Sequence, residues 1–366
     1  MIGSSSYGGA ETSLLNSIKY INKEKFNIFL LCPPDGPMVN KFSQYAKVYL
    51  NHHINEKKRV DNFIYLYNFL KEKNISIIHT NHFNPDYFGL LSAFIAKVPV
   101  RLSTVHGINF YYVKAFGFKR IHYFLLSFLY TWFYLFSTRL ICTSESVKKH
   151  LVTKRGLKLS SDKLTVVHNS FDFDYVTSIK ENQRTDLKQA AVIANFDMIK
   201  GHYEFIKKLP LFFKKKPDWK IIFCGEGKEK MNCWKMVNEL KLNNSVEFCC
   251  MYDDVLGLIG QSSFTLLPSY IESLSMAILE SMALKKPVIA YDTGGNSEII
   301  NSSNGILVPK YNTIQFIKEM IDLSRQPEKI TSLGNRAFHT VKRNFNLKIK
   351  INELEEIYDQ QLNYFT

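Results

Sequence analysis

The sequence predicts an α/β protein made of two domains, each built on a parallel β-sheet. At 366 residues the chain is long enough for two domains of ordinary size. Its hydrophobic content of 46% and charged content of 22% are typical of globular proteins. Along most of the chain, short apolar runs alternate with helical stretches, which is the pattern of βαβ units in a parallel sheet.

The first half of the chain contains apolar runs that we predict as strands, at residues 27–32, 46–50, 75–80 and 100–105. A further strand is predicted to begin at Leu140 and to lead into a helix. The start is unusual, because the glycine-rich residues 3–9 come almost at once and lead into a helical pattern. The first strand is therefore expected to be short or missing. Either the true start lies upstream of Met1, or the domain tolerates a short first strand.

Residues 121–136 form the most hydrophobic run of the chain, and Lys114, Lys119 and Arg120 precede it. The run is shorter than the roughly 20 residues that a membrane-spanning helix needs. Its many aromatic residues are typical of a buried helix and equally of an interfacial helix that lies in the membrane plane. Both interpretations stay open at this point.

The boundary between the two halves lies near residues 170–185, which include a polar stretch at 180–184, and we place the domains at residues 1–175 and 176–345, with a terminal segment at 346–366. Predicted strands follow at residues 191–194, 219–224, 246–249 and 264–267. The apolar residues 275–284 predict a buried helix that ends before Pro287. Residues 347–362 have a helical pattern.

The positive charge of the chain is concentrated in its first half. Of the net charge of +14, residues 1–170 carry +13 and residues 171–366 carry +1. A cationic domain indicates an anionic partner, such as a membrane surface, a lipid pyrophosphate or a nucleic acid, although a solvated basic surface has the same composition. We find no recognised nucleic-acid-binding motif and therefore expect no nucleic-acid partner.

Cysteine usage indicates a cytosolic protein. None of the six cysteines forms a C-x-x-C pattern, and most lie in apolar runs, so we expect reduced and buried thiols. The first residues lack the basic and apolar regions of a signal peptide. No Cys/His cluster has zinc spacing, and the adjacent Asp253 and Asp254 are better explained as a helix N-cap. We therefore expect no metal and no other cofactor.

Residues 268–308 carry the pattern around which we interpret the rest of the chain. Glu272 lies in the loop where a predicted strand gives way to a helix. Glu280 falls on one helical stripe with Met276 and Ala283, and a core-facing carboxylate is costly unless it is hydrogen-bonded. The carboxyl ends of parallel strands bind ligands, and helix N-termini attract phosphate.

This stretch resembles the retaining glycosyltransferases of family 4. Glu272 and Glu280 form the E-x7-E pattern of that family. The residues around them agree with it in order: Pro268-Ser269, Glu280-Ser-Met-Ala283, Pro287-Val-Ile-Ala290, Gly294-Gly295-x-x-Glu298 and Gly305-x-Leu-Val308. The chain departs from the family at Glu272-Ser-Leu-Ser275, where E-G-F-G is usual, and at Lys285, where glycine is usual.

Three further segments carry the same resemblance. Gly8 and Gly9 are similar to the glycine loop of the family's first lobe, and Thr104-Val-His106-Gly107 is similar to its T-x-H-G. Residues 195–201 are similar to G-R-x-x-x-x-K-G, with Lys200 in the lysine position and Asn195 where the arginine often stands.

The resemblance implies the GT-B fold: two Rossmann-like lobes, parallel sheets with helices on both faces, a cleft between the lobes, and a C-terminal helix that returns to the first lobe. It implies catalytic roles for His106, beside the transferred sugar, for Lys200, on the donor diphosphate, and for Glu272, on a sugar hydroxyl. Glu280 would bind the ribose hydroxyls. Asn195 could donate to phosphate without charge assistance. The donor-binding loop would be completed by Ser273, Leu274 and Ser275, and Gly8 and Gly9 would face the cleft.

We therefore predict a retaining, metal-independent hexosyltransferase that moves a sugar from a nucleotide diphosphate-sugar, expected to be a UDP-sugar. The acceptor would be a lipid-linked saccharide or an oligosaccharide in the synthesis of a cell-surface polysaccharide, such as lipopolysaccharide or capsule. The protein would be cytoplasmic and peripheral on an anionic membrane surface. Two alternatives stay open: a nucleotide-sugar 2-epimerase of the same fold, and a basic nucleic-acid- or membrane-binding protein without catalysis.

Overall fold

The computed structural model describes residues 1–6, 8–51, 59–107, 131–153, 158–176, 188–249 and 254–365. The chain divides into two compact units: unit 1 comprises Met1–Asn169 and Leu347–Thr366, and unit 2 comprises Ser170–Asn346. The sequence placed the boundary after residue 175, within the helix Phe173–Val176, whereas the structure assigns this helix to unit 2. Lys114, Lys119, Arg120 and residues 121–130 lie outside the described residues.

Unit 1 is built on parallel strands. One sheet pairs β1 (Phe29–Cys32) with β2 (Lys47–Leu50). A second sheet contains, in spatial order, β3 (Ile77–Asn81), β4 (Val100–Val105), β5 (Arg139–Cys142) and β6 (Leu164–Val166). These strands lie in the predicted apolar runs, and the predicted bounds of β4 are unchanged.

Met1 and Ile2 lie between these two sheets and act as the predicted short first strand. The amide of Ile2 donates to the carbonyl of Leu31 at 3.0 Å, and the amide of Asn81 donates to the carbonyl of Met1 at 2.9 Å. Ile2 and Asn81 form a parallel bridge. From this first segment the chain passes to β1 on one side and later to β3 on the other, so the strand order reverses here.

The described helices of unit 1 include Gly9–Tyr20, Val39–Ser43, Arg59–Glu72, Phe83–Pro85, Leu91–Ile95, Glu145–Val152 and Leu347–Phe365, with a π-helical turn at Asp86–Leu90 and a 3-10 turn at Ser161–Lys163. The C-terminal helix packs on β4, where its Ile351 and Leu354 share a core cluster with Val100 and Leu102.

A partly buried histidine ties this terminal helix to the sheet. One ring nitrogen of His79 lies 2.6 Å from the hydroxyl of Tyr358, and the other lies 2.7 Å from the hydroxyl of Thr104. Burial lowers the pKa of His79 to about 3, so the ring is neutral near pH 7.

Unit 2 contains one six-stranded parallel sheet. Its spatial order is β9-β8-β7-β10-β11-β12, with strands β7 (Gln189–Ile193), β8 (Lys220–Cys224), β9 (Val246–Cys249), β10 (Phe264–Leu267), β11 (Val288–Asp292) and β12 (Ile306–Pro309). The chain runs outward from β7 to β9 and then returns to place β10 on the other side of β7. This order is the doubly wound arrangement, in which ligands bind where the strand order reverses.

The described helices of unit 2 are Phe173–Val176, His202–Ile206, Leu209–Phe213, Lys230–Glu239, Val255–Gly260, Met276–Ala283, Asn296–Ile299, Thr313–Leu323 and Pro327–Asn344, with a 3-10 turn at Met198–Lys200. The side chain of Asp254 caps the helix Val255–Gly260 by accepting from the amide of Gly257 at 2.9 Å. This confirms the N-cap interpretation for Asp254, whereas Asp253 lies outside the described residues.

The described helices and cysteines bear on two predictions made from the sequence. Among the helices in the described ranges, none combines the length and the apolar character that crossing a membrane requires. Cys32, Cys142, Cys224 and Cys233 are free and buried, as predicted, whereas Cys249 is free and partly exposed. Cys250 lies outside the described residues.

Candidate functional site

Lys200 and Glu272 lie together where the strand order of unit 2 reverses. Lys200 ends the turn that follows β7, and Glu272 lies in the loop that follows β10. The Nζ atom of Lys200 lies 2.7 Å from Oε1 of Glu272, and the two side chains are 21% and 8% exposed. A pair so withdrawn from solvent is screened by salt much less than a surface pair. The structure thus brings together two residues that the sequence singled out separately.

Two glycines allow the neighbouring loops to approach the loop that carries Glu272. Gly201 has φ 71°, and a Cβ atom there would lie 2.2 Å from the carbonyl oxygen of Pro268. Gly294 has φ 58°, and a Cβ atom there would lie 1.8 Å from the carbonyl oxygen of Glu272. Both positions therefore require glycine, for the left-handed backbone and for the close approach.

Backbone hydrogen bonds fix the same loop from both sides. The amide of Tyr270 donates to the carbonyl of Ile199 at 2.7 Å, and the amide of Gly295 donates to the carbonyl of Ser273 at 2.8 Å. The hydroxyl of Thr293 donates to the carbonyl of Tyr270 at 3.0 Å. The loop is therefore held in place before any ligand binds.

The helix Met276–Ala283 begins where this loop ends, with Ser275 at its N-cap position. The Ser275 side chain makes no capping hydrogen bond, so it satisfies none of the free amides of the first helical turn. Leu274 is buried in the core, and Ser273 is partly exposed. Among the described residues, the positive-φ set includes neither serine, so replacing the usual glycines is compatible with this loop.

The backbone conformation of Lys285 explains why glycine is usual in the family at this position. Lys285 adopts φ 57°, a left-handed conformation that glycine adopts without cost. Its backbone also packs against Gly334, where a Cβ atom would lie 2.0 Å from the Lys285 carbonyl oxygen. The usual glycine at this position therefore reflects backbone geometry at the end of the helix.

Glu280 is less buried than we predicted from its position on one helical stripe with Met276 and Ala283. Met276 and Ala283 are buried, whereas Glu280 is partly exposed. Its carboxylate has no hydrogen bond or ion pair within the described part of the chain, and burial raises its pKa to about 7. The carboxylate is therefore a partly desolvated acceptor without a hydrogen-bond partner in the described part of the chain.

Asn195 lies two residues after the end of β7 and is partly exposed. The next residue, Phe196, is hydrogen-bonded to the turn Gly225-Glu226-Gly227: its amide donates to the carbonyl of Glu226 at 2.7 Å. His202, which the sequence did not single out, is buried beside this turn and stacks on Phe196 at 4.5 Å. Burial and then Lys200 lower the pKa of His202 to about 3, which keeps it neutral.

In unit 1, His106 follows β4 and contacts the end of β3. Its Nε2 lies 2.7 Å from Oδ1 of Asn81, while its Nδ1 is buried with no hydrogen-bond partner among the described residues. Burial, followed by His82 and His79, lowers the pKa of His106 to about 3, so the ring is neutral. The sequence did not single out Asn81; the available signal was its position directly after the predicted strand 75–80.

Gly8 and Gly9 precede and begin the first helix of unit 1. Gly8 has an extended backbone, which any residue can adopt, but a Cβ atom there would lie 2.5 Å from a carboxylate oxygen of Glu11. His106, Gly8 and Gly9 therefore belong to unit 1, whereas Lys200, Glu272 and Glu280 belong to unit 2.

No group of three or more His, Cys, Asp or Glu side chains in the described ranges is placed to hold a metal ion.

Comparisons with known proteins match the two halves of the chain to two family models. Residues 7–175 match the model described as Glycosyltransferase Family 4, and residues 177–340 match the model described as Glycosyl transferases group 1. Together these matches span most of the chain.

Similar proteins include two named bacterial transferases. The Escherichia coli UDP-Gal:alpha-D-GlcNAc-diphosphoundecaprenol alpha-1,3-galactosyltransferase is 23% identical, with 96% of this chain and 93% of the relative covered. The Campylobacter jejuni N,N'-diacetylbacillosaminyl-diphospho-undecaprenol alpha-1,3-N-acetylgalactosaminyltransferase is 26% identical, with 86% and 85% covered.

A solved structure supports the same fold. The Anabaena protein HepE, crystallised in complex with UDP-glucose, superposes with a TM-score of 0.80 at 17% identity, with 98% of this chain and 99% of the other covered. The two family models, the relatives and the fold agree with the resemblance found in the sequence: the chain belongs to the GT-B glycosyltransferases of family 4.

Proposed function

We propose that the protein transfers a sugar, with retention at the anomeric carbon, from a UDP-sugar to a lipid-linked saccharide during the synthesis of a cell-surface polysaccharide. The observation that carries the proposal is the withdrawn Lys200–Glu272 pair at the point where the strand order of unit 2 reverses. An ammonium group suits a diphosphate, and a neighbouring carboxylate suits a sugar hydroxyl.

The main chemical task is to stabilise the departing nucleotide diphosphate. The bond between the anomeric carbon and the diphosphate oxygen breaks through an oxocarbenium-like state, while the acceptor hydroxyl forms the new bond on the same face. Lys200 would neutralise charge on the leaving group, and the amides before the helix Met276–Ala283 would donate to it. Asn195 would add an uncharged donor. This handling of charge needs no metal ion.

Glu280 would hold the ribose of the donor. Its carboxylate is desolvated and unpaired within the described ranges, so it can accept hydrogen bonds from two adjacent hydroxyl groups. Glu272, whose side chain is 8% exposed, would accept from a hydroxyl of the transferred sugar while Lys200 keeps its position.

Unit 1 is proposed to serve the acceptor. The two relatives are named for acceptors linked to diphosphoundecaprenol, which combines an anionic diphosphate with a membrane lipid. Residues 1–170 carry a charge of +13, which suits such a partner. The neutral His106 is proposed to contact saccharide.

An exposed aromatic patch on unit 1 supports contact with the membrane surface. Phe94, Trp132 and Leu135 are 50%, 43% and 58% exposed, respectively. Phe136 joins them, since its ring lies 5.0 Å from that of Phe94 and 5.1 Å from that of Trp132. Exposed aromatic residues on a cationic domain fit the interface of an anionic bilayer. We therefore propose that the protein acts at the cytoplasmic face of the membrane.

The direct test incubates the purified chain with single UDP-sugars and with a saccharide linked to a lipid diphosphate. We expect transfer with one UDP-sugar, and an anomeric configuration in the product, read by NMR, that matches the donor. An epimerised free nucleotide-sugar, formed without an acceptor, would instead identify the 2-epimerase. The absence of both products across a full panel of nucleotide-sugars would defeat the proposal.

A further inference from the structure

Asn81 occupies the position in unit 1 that corresponds to the ligand edge of a doubly wound sheet. It is the last residue of β3, where it pairs with Thr104 of β4 on one side. On the other side it bridges to Ile2, at the place where the strand order reverses. Ligands of open parallel sheets bind at the carboxyl ends of the strands beside such a reversal.

The side chain of Asn81 is only half satisfied. It is 4% exposed, and its Oδ1 lies 2.7 Å from Nε2 of His106. Its Nδ2 is buried with no hydrogen-bond partner among the described residues. A buried amide group of this kind is costly unless a partner satisfies it.

The hydrogen bond to Asn81 also determines which atom of His106 is available. With Oδ1 of Asn81 as the acceptor, Nε2 of His106 carries the proton and donates. The ring is neutral, because burial lowers its pKa to about 3. Nδ1 is then a bare acceptor, and it too is buried without a partner among the described residues.

A buried donor and a buried acceptor on two hydrogen-bonded side chains indicate which kind of ligand could satisfy both. Both groups are uncharged, so neither an anion nor a cation is preferred. A hydroxyl group can both donate and accept a hydrogen bond. The hydroxyl groups of a sugar can therefore satisfy a buried donor and a buried acceptor together. The nearby rings of His79 and His82 also have pKa values lowered mainly by burial, while Glu11 raises that of His82.

We propose that Asn81 has two roles: its amide oxygen fixes the tautomer and orientation of His106, and its amide nitrogen donates to a hydroxyl of the bound saccharide. The first role makes Asn81 a positioning residue and depends only on the contact with His106. The second rests on the proposed glycosyl transfer, because that activity identifies the ligand as a saccharide.

Asn62 provides a matched control in the same unit. It is fully buried, its Oδ1 accepts from Nδ2 of Asn51 at 2.9 Å, and its own Nδ2 is buried without a partner among the described residues. It lies within the helix Arg59–Glu72, and within the described ranges its side chain is hydrogen-bonded to Asn51. Asn62→Leu therefore reports the effect of losing a buried, half-satisfied asparagine that does not contact His106 in the described structure.

The first experiment reads the tautomer of His106 by NMR of the full chain with 15N-labelled histidine, with the signal assigned by comparison with His106→Gln. We expect a protonated Nε2 and an unprotonated Nδ1 near pH 7 in the wild type and in Asn62→Leu. In Asn81→Leu the tautomers should mix, while Asn81→Asp should raise the pKa of His106. A protonated Nδ1 in the wild type, or a tautomer unchanged in Asn81→Leu, overturns the positioning role.

The second experiment measures sugar transfer. Asn81→Asp keeps an acceptor for His106 but removes the amide donor, so kcat/KM should fall about tenfold or more, the value of a buried hydrogen bond. Asn62→Leu should stay within about twofold, since the proposed saccharide contact does not involve this residue. If the wild type transfers sugar and Asn81→Asp does so equally well, the saccharide contact is wrong. If the wild type transfers none, the proposed function is wrong, and the NMR result still decides the positioning role.

Discussion

The ammonium group of Lys200 lies 2.7 Å from the carboxylate of Glu272, although 72 positions separate the two residues in the chain. The residue proposed to neutralise the donor diphosphate is thus already paired with the residue proposed to hold the donor sugar. A lysine has three N–H donors, so Lys200 can keep Glu272 and still donate to a phosphate oxygen. The pair therefore places the cation before the donor arrives.

Replacing Lys200 tests this arrangement. Lys200→Ala should lower kcat by roughly 10²–10³, the loss typical of one group that stabilises transition-state charge. It should also lower Tm, because Glu272 is left withdrawn from solvent without its partner. The control is Lys207→Ala, which removes an exposed pair with Glu204 and should change neither property appreciably. Wild-type turnover in Lys200→Ala would show that the diphosphate is held elsewhere.

Metal removal provides a separate test of how charge is handled. If Lys200 and loop amides neutralise the diphosphate, then EDTA should leave the initial rate of transfer unchanged. The assay needs a chelator-treated sample and the same sample with added Mg²⁺. A strict requirement for Mg²⁺ would contradict the metal-independent proposal and would leave the assignment of Lys200 to be tested on its own.

Replacing Glu280 by glutamine should weaken donor binding but should raise the stability of the free protein above pH 7. Glu280→Gln should weaken nucleotide-sugar binding by about 1–3 kcal/mol, the value of hydrogen bonds to a charged group, as measured by calorimetry. Without donor, the same variant should be more stable than the wild type above pH 7. Burial raises the folded pKa from 4.5 to about 7, so the unfolded chain ionises first and wild-type stability falls as the pH rises through that window.

The pH dependence of this difference provides its control. Below about pH 4 the carboxyl group is protonated in both states, so the wild type and Glu280→Gln should have nearly equal stability. A stability difference that does not vary with pH would mean that the substitution acts through packing. Unchanged donor affinity in a folded variant would remove Glu280 from the donor site.

The glycine turn after β11 should be as important as the charged residues. Gly294→Ala forces a Cβ atom to within 1.8 Å of the Glu272 carbonyl oxygen at φ 58°, so the loop must move. We expect a loss of stability of about 1–3 kcal/mol, the usual range for strained backbone positions, and a fall in transfer rate. Gly260→Ala is the control, since a Cβ atom there meets open space. Equal stability of the two variants would contradict this interpretation of the loop.

Apolar runs predicted the strands well, because strands covered on both faces of a parallel sheet are apolar throughout. β4, β9 and β10 have their predicted bounds. The contact between Lys200 and Glu272 could not be predicted in this way. It depends on the pairing of β7 with β10, and chain order does not specify which distant strands pair.

The burial of Glu280 was predicted less well, for a specific reason. The stripe argument assumes that one face of the helix meets the core. In the structure Ile278, Leu279 and Met282 are buried as well, so the helix is covered on several faces and its period does not identify one of them. Asn81 was missed because its importance arises from its contact with His106 across two strands.

The last prediction concerns the aromatic patch of unit 1. We expect the protein to bind vesicles that contain anionic lipid at low salt and to be released at high salt, because each basic residue near such a surface contributes about 1 kcal/mol and salt screens it. Replacing Trp132 and Leu135 by serine should weaken binding without changing donor affinity, since the donor residues belong to unit 2. Flotation of the protein with vesicles measures the first effect.

Trp234 supplies the matched control for this experiment. It is 51% exposed on the helix Lys230–Glu239 of unit 2, so Trp234→Ser removes a comparable aromatic side chain from the other unit. Vesicle binding should survive that change. Equal binding to neutral and anionic vesicles, or binding to neither, would defeat the membrane assignment. The basic residues and the aromatic patch belong to the same unit. A protein that binds no vesicles would therefore need an acceptor that reaches unit 1 from solution. A soluble oligosaccharide would then replace the lipid-linked saccharide as the expected substrate.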